Sequence, residues 1–121
     1  MRSAALRALG EIDLGNAVRT QKEQASHLLP LIVAQLHDAD PIRRREAASL
    51  IGWLGAAALP ATADLLLHVD DTDPEVRVGA VHALGVIGAR EERVVHAIAR
   101  QLTEPDLKMR RVAARVLATF G

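Results

Sequence analysis

The feature that most constrains this chain is an internal repeat with a period of 33 residues. Segment 41–55, PIRRREAASLIGWLG, returns as segment 74–88, PEVRVGAVHALGVIG. Asp40 falls on Asp73, Pro41 on Pro74, Arg44 on Arg77, Ala47 on Ala80, Gly52 on Gly85 and Gly55 on Gly88. One further period brings Asp106, Arg110, Ala113, Leu117, Phe120 and Gly121 onto the same positions. The second halves agree as well: Leu28 with Ala61 and Val94, Ile32 with Leu65 and Ile98, Leu36 with Val69 and Leu102. At the start, MRSAALRALGEI fits through Arg2, Ala5, Leu9, Gly10 and Ile12, with nine extra residues falling somewhere in Asp13–Gln24. A period of this length means stacked copies of one supersecondary unit, none of which can bury its apolar face alone.

Each unit reads as a pair of helices. Val76, Ala80, Ala83, Leu84 and Ile87 follow the spacing of one helical face. Asp73 stands where a carboxylate can accept orphan backbone N–H groups, and Pro74 occupies a first-turn position whose N–H has no partner anyway. Gly85 and Gly88 lie near the far end, where a glycine can close a helix. A second helix follows from about Glu91 to Thr103, with Val94, Val95, Ile98 and Leu102 inward; its counterpart in the first unit turns Leu28, Leu29, Ile32 and Leu36 inward. Strand alternation appears nowhere, so the fold class is all-α. The pattern predicts seven helices, at 2–12, 25–37, 41–54, 58–69, 74–88, 91–103 and 107–120. They form one domain over 1–121, in units of about 1–40, 41–73 and 74–106 and a partial unit 107–121.

Composition narrows the chemistry. There is no cysteine, which removes disulfides, thiolate metal sites and a thiol nucleophile. The 15 basic and 15 acidic residues cancel, which argues against a whole-domain electrostatic grip on nucleic acid or anionic lipid. No apolar run reaches the roughly 18 residues that a membrane span requires, and MRSAALRALGE turns polar too soon for a signal peptide. The expectation is a cytoplasmic protein, and the preference for arginine over lysine hints at a GC-rich bacterial genome.

The repeat, with Asp73-Pro74-Glu75-Val76-Arg77 opening the first helix and Ala80 to Gly88 closing it, resembles the HEAT repeat. Its nearest likeness is the short bacterial subtype named after the phycocyanobilin lyases. That resemblance implies a right-handed α-solenoid, a HEAT/ARM-like superhelix of antiparallel pairs. It also implies a structural ladder between neighbouring units, formed by Asp40, Asp73 and Asp106 with Arg44, Arg77 and Arg110. The chain begins without an Asp-Pro cap and its last helix has no partner after it, so a fragment of a longer array is expected. Val112, Val116 and Phe120 would then form an open apolar stripe, suited to self-association or to a missing continuation.

His27, His37, His68, His82 and His96 show no metal-ligand spacing and no repeated column, so scattered surface histidines are expected. The HEAT-like deoxyhypusine hydroxylases place His-Glu pairs where this chain has Arg45-Glu46 and Val78-Gly79, so those iron ligands are absent. The acidic run Asp70, Asp71, Asp73 and Glu75 lacks the glycine and closing glutamate of an EF-hand, and matching acids at Asp38, Asp40, Glu104 and Asp106 suggest capping. Arg43, Arg44, Arg45, Arg77, Lys108, Arg110 and Arg111 share an edge with those acids, so nucleic-acid binding is not expected. No catalytic residue, metal or cofactor is assigned. The expected function is a non-catalytic scaffold for a protein or peptide, received on the second-helix face by Gln35, Asp64, His68, Arg100 and Gln101, with Leu31, Ala34, Asp38, Leu67, Asp71, Ala97 and Glu104 alongside. Trp53, off the core stripe, is a further candidate anchor. The resemblance alone also implies alternatives: a phycobilin lyase or isomerase subunit and, ranked below it, a nucleic-acid-binding HEAT-like module.

Overall fold

A computed structural model describes residues 24, 25 and 27–120 of the chain. The predicted helix 2–12 and nearly all of the Asp13–Gln24 insertion lie outside the described residues. Those described form α1 (Leu29–Leu36), α2 (Pro41–Leu54), α3 (Thr62–Leu67), α4 (Pro74–Ile87), α5 (Glu92–Arg100) and α6 (Leu107–Phe120), with 3-10 turns at Gly55–Ala61 and Gln101–Thr103. Among the described residues there is no strand, and the protein is all-α. Helices α2, α4 and α6 pack in that order as one row, while α1, α3 and α5 lie beside them, touching α2, α4 and α6 respectively. This is the arrangement of a short repeat array.

The caps form where the sequence places them. The Asp40 carboxylate accepts the Ile42 amide at 2.9 Å, Asp73 accepts the Val76 amide at 3.0 Å and Asp106 accepts the Lys108 amide at 3.0 Å. Each cap satisfies a donor that the first helical turn leaves without a partner. Gly88 ends α4 in the left-handed conformation at φ 79°, and its amide and that of Ala89 close back on Gly85 and Leu84.

The core follows the repeat columns. Ala47, Ala80 and Ala113 are all fully buried, as are Leu65 and Ile98, and Leu36 with Val69. Alanine in the central column lets neighbouring rows approach closely, and the larger residues around it fill the space between layers.

Four expectations need correction. The helix predicted over 58–69 is split, because Pro60 has no amide to donate; a 3-10 segment carries the chain to Ala61 before α3 begins. Leu28 does not face inward: it sits before α1 in a non-helical conformation and is 52% exposed, while Leu29 takes the buried place. At the end of α5 the chain tightens to three residues per turn, so Gln101 follows Ile98 inward and Leu102 turns out. Gln101 is therefore only 1% exposed, and Ala97 is buried beside it. Finally, Val112 and Val116 are buried, and Phe120 packs on the core with the Arg90 guanidinium 5.9 Å from its ring centre. The open stripe is absent because these side chains lie against α4.

The continuous stretch Pro41–Leu67 does contain a window apolar and long enough for a membrane span, contrary to the reading of run lengths above. It is not one rod. Gly55 ends α2 at φ 62° and ψ −138°, and the segment after it packs on α1 and α4 as part of the core.

One register of the stack hangs on a glycine. A Cβ added at Gly85 would stand 2.9 Å from both Val116 methyls, whereas at Gly52, one period earlier, the neighbour is Ala83 at 3.9 Å. Ala83 and Val116 share a column, so the larger partner demands the absent side chain. Gly85→Ala is expected to destabilise by about 1–3 kcal/mol through overpacking. Gly52→Ala is expected to be neutral, or stabilising by up to about 1 kcal/mol through helix propensity. Urea unfolding of both, with Val116→Ala restoring the loss at Gly85, checks the contact.

Candidate interaction face and the network at the repeat edge

The loop edge is built by arginines that serve two directions at once. Arg44 Nη1 donates to the carbonyls of Asp38 and Ala39 at 2.9 Å, closing the turn that precedes its own helix. Its Nε and Nη2 donate to Asp71 at 3.1 and 3.0 Å, a two-pronged bond to the loop that leads into α4. The pair is well shielded, with the Asp71 side chain only 6% exposed. Arg77 and Arg110 repeat the first half of this arrangement: Nη1 of Arg77 donates to Asp71 and Thr72 carbonyls, and Nη1 of Arg110 to those of Glu104 and Pro105.

The aspartate and arginine columns thus do not pair directly. Asp40, Asp73 and Asp106 cap helices, and Asp73 is held instead by Arg45, at 2.8 and 2.7 Å. Arg45 holds the Asp73 carboxyl well below the usual range, at about 2, aided by the Val76 amide against some loss of solvent. For Asp71, burial opposes the charge, but the Asp73 amide, the His68 ring and Arg44 outweigh it, so its pKa too is lowered.

Every acid in the 70–75 run is engaged by a side chain. Asp70 meets Arg100 and Gln101, Asp71 meets Arg44 and His68, Asp73 meets Arg45, and Glu75 takes Lys108 at 2.9 Å. Arg43 lies 3.7 Å from Asp38. Among the described residues, no group of three or more His, Asp or Glu has the arrangement to hold a metal ion.

Two histidines that the sequence reading left scattered come together. His68 Nε2 lies 2.9 Å from His37 Nδ1, His68 Nδ1 lies 2.7 Å from Asp71, and His37 Nε2 lies 2.9 Å from Asp64. The signal was hidden because these contacts join residues 27 and 31 apart, while the repeat comparison pairs residues 33 apart.

The anticipated partner residues divide accordingly. Gln35 and Arg100 are exposed on α1 and α5, among exposed leucines: Leu31 at 66% and Leu67 at 71%. Asp64 and His68 are tied into the network just described, and Gln101 is buried with its Oε1 lacking a hydrogen-bond partner among the described residues. Trp53 is 45% exposed on α2, in the other layer. That layer carries two open grooves, one of about 460 Å³ beside Arg45, Glu46, Ser49 and Leu50, the other of about 180 Å³ lined by α4 and α6 residues including His82, Val86 and Arg115.

The sequence pattern that defines the family described as HEAT repeats matches residues 28–118. No curated protein matches the chain.

Removing Arg44 strands a shielded carboxylate, so Arg44→Ala is expected to destabilise by about 3–5 kcal/mol. Arg77→Ala, which loses bonds to carbonyl groups, is expected to lose about 1.5–3 kcal/mol. The two lowered carboxyls also fix the acid response. Their contribution is present above the ordinary carboxylate value of about 4 and is lost as pH falls through their lowered values, about 2 for Asp73. Thermal unfolding from pH 5 to 2 is expected to show that loss, with a shallower slope in Arg45→Gln.

Proposed function

The chain belongs to the HEAT-repeat family, and from that premise we propose that it is a non-catalytic scaffold whose second-helix face binds a protein or peptide segment. Proteins of this family are typically interaction scaffolds. The observation that carries the reading is the exposure of Leu28, Leu31 and Leu67, each more than half open on or beside the second helices. Leu28 and Leu31 are three residues apart, and Gln35 continues their line along α1. Clustered apolar side chains among polar ones are the usual composition of a binding patch, and single scattered ones are not. Around them Gln35, Asp64 and Arg100 offer both signs of charge and an amide, a mixed rim suited to a polypeptide rather than to a polyanion.

The finer likeness to phycocyanobilin lyase-type repeats rests on the Asp73–Arg77 and Ala80–Gly88 motifs alone. Mixing the protein with phycocyanobilin and reading its absorbance tests that role separately.

Panning a displayed random-peptide library on the purified domain tests the scaffold reading. Selected peptides are expected to lose at least tenfold in affinity with Leu31→Asp or Leu67→Asp, at unchanged melting temperature. They are expected to be indifferent to Leu50→Asp in the α2 groove. Loss with Leu50→Asp and none with Leu67→Asp would move the binding face to the other layer.

A further inference from the structure

Three hydrogen bonds run in series across the first junction, from Asp64 Oδ1 to His37 Nε2, from His37 Nδ1 to His68 Nε2, and from His68 Nδ1 to Asp71 Oδ2. Each needs one hydrogen between its two heavy atoms, so the series needs three. The two ends are carboxylates, which when ionised only accept. Two neutral imidazoles carry one N–H each, two in all. Whichever tautomers are chosen, one of the three links is left with lone pairs facing each other. A third proton on the ring pair closes the series.

Asp71 is not where that proton resides. Arg44 grips both its oxygens, and the Asp73 amide donates to it at 2.9 Å. The flanking acids are engaged too: Asp38 has Arg43 at 3.7 Å, and Asp70 has Arg100 at 3.4 Å. What faces the two rings directly is Asp64 from α3 and Asp71, with Arg44 of α2 on the far side of Asp71.

We propose that His37 and His68 together bind one proton in the folded protein, forming a singly charged pair strung between Asp64 and Asp71 that fastens the first described unit to the second. The next junction provides an internal comparison. One period on, His37 and His68 are replaced by Asp70 and Gln101, which are also bonded, Gln101 Nε2 donating to Asp70 Oδ1 at 3.3 Å. An amide and a carboxylate close that link without a titrating proton. The same contact is therefore proton-dependent at one junction and proton-independent at the other.

The consequence is a linkage with a fixed sign. The unfolded chain, with separate imidazoles of ordinary basicity near about 6.5, does not hold this proton at higher pH. Folding takes it up there, so stability falls as pH rises, by up to about tenfold in the folding constant per pH unit. His27, His82 and His96 are kept in every variant, so that they cancel in the comparison.

Urea unfolding of wild type, His68→Gln and the double variant His37→Asn with His68→Gln, at steps from pH 7 to 8.5, reads this directly. The amide side chains can donate to Asp71 and Asp64 without titrating. The wild-type folding constant is expected to fall more steeply than either variant's, by up to about tenfold per pH unit, and the variants to share one slope. Imidazole nitrogen NMR of the wild type at pH 7 gives an independent reading if a variant fails to fold, with three protons expected over the four ring nitrogens and the fourth nitrogen accepting within the pair. Equal slopes in wild type and variants, or one bare nitrogen on each ring at pH 7, would overturn the proposal.

Discussion

The Arg44–Asp71 bond is the interaction on which the described stack turns. A guanidinium presents five donors in a rigid plane, and here four bonds use that geometry in two directions: two to the carbonyls of the loop before α2 and two to the Asp71 carboxylate in the loop before α4. A lysine could neutralise Asp71, but it could not hold both at fixed angles. Because the pair is shielded, its worth lies less in net stability than in the penalty for any arrangement that separates it. That penalty fixes the loop before α4, and with it the start of α4, against α2. Once that start is set, the caps at Asp40 and Asp73 begin their helices at equivalent positions, and the alanines at 47, 80 and 113 are all buried.

Packing enforces the same register from the other side. Where α2 meets α4, Gly79 approaches the Ala48 side chain and Gly52 approaches Ala83, so small residues face each other across both contacts. Where α4 meets α6, Gly85 has to receive Val116, and the fit becomes tight. Slipping either junction by a single residue would drive a Cβ into backbone or leave a void. Electrostatics at the loop edge and close packing between the rows therefore select the same alignment. That agreement between levels is what lets a chain with almost no aromatic residues specify one packing.

Much of this was legible in the sequence because it is written in columns. The period, the Asp-Pro caps and the alanine core repeat at identical positions, so comparing residues one period apart reveals them. What the columns could not show was contact. Arg44 reaches Asp71, Arg45 reaches Asp73 and His37 reaches His68, and none of these pairs shares a column, because the step between touching residues is shorter than the step between equivalent ones. Local backbone geometry was the second blind spot. Gln101 and Leu102 exchange places only because the last turn of α5 tightens, and Pro60 delays α3 by removing a donor; neither effect alters the hydrophobic count by which the helices were read. The closure of the Val112 and Val116 face was missed for a third reason: it was judged by the helix that does not follow rather than by α4, which already covers it.

The two junctions are equivalent in position but different in chemistry, and that difference organises how the array can respond. In a stack where each unit touches only its neighbours, stability divides into unit terms and junction terms. The first junction carries Arg44, Asp71, His68, His37 and Asp64 in one connected chain, so a change at any member is felt by the others. At the second, Glu104 stands in the column of Asp71 and Gln101 in that of His68, and Arg77 bonds only to loop carbonyls. The first junction thus carries a connected network of rings and carboxylates, while the second is held by the exposed Asp70–Arg100 pair and the Gln101 amide. Any partner laid along α1 and α3 bridges the first junction, since Leu31 lies on one side of it and Leu67 on the other. Occupancy of the face and integrity of the first junction are then coupled through the same two helices.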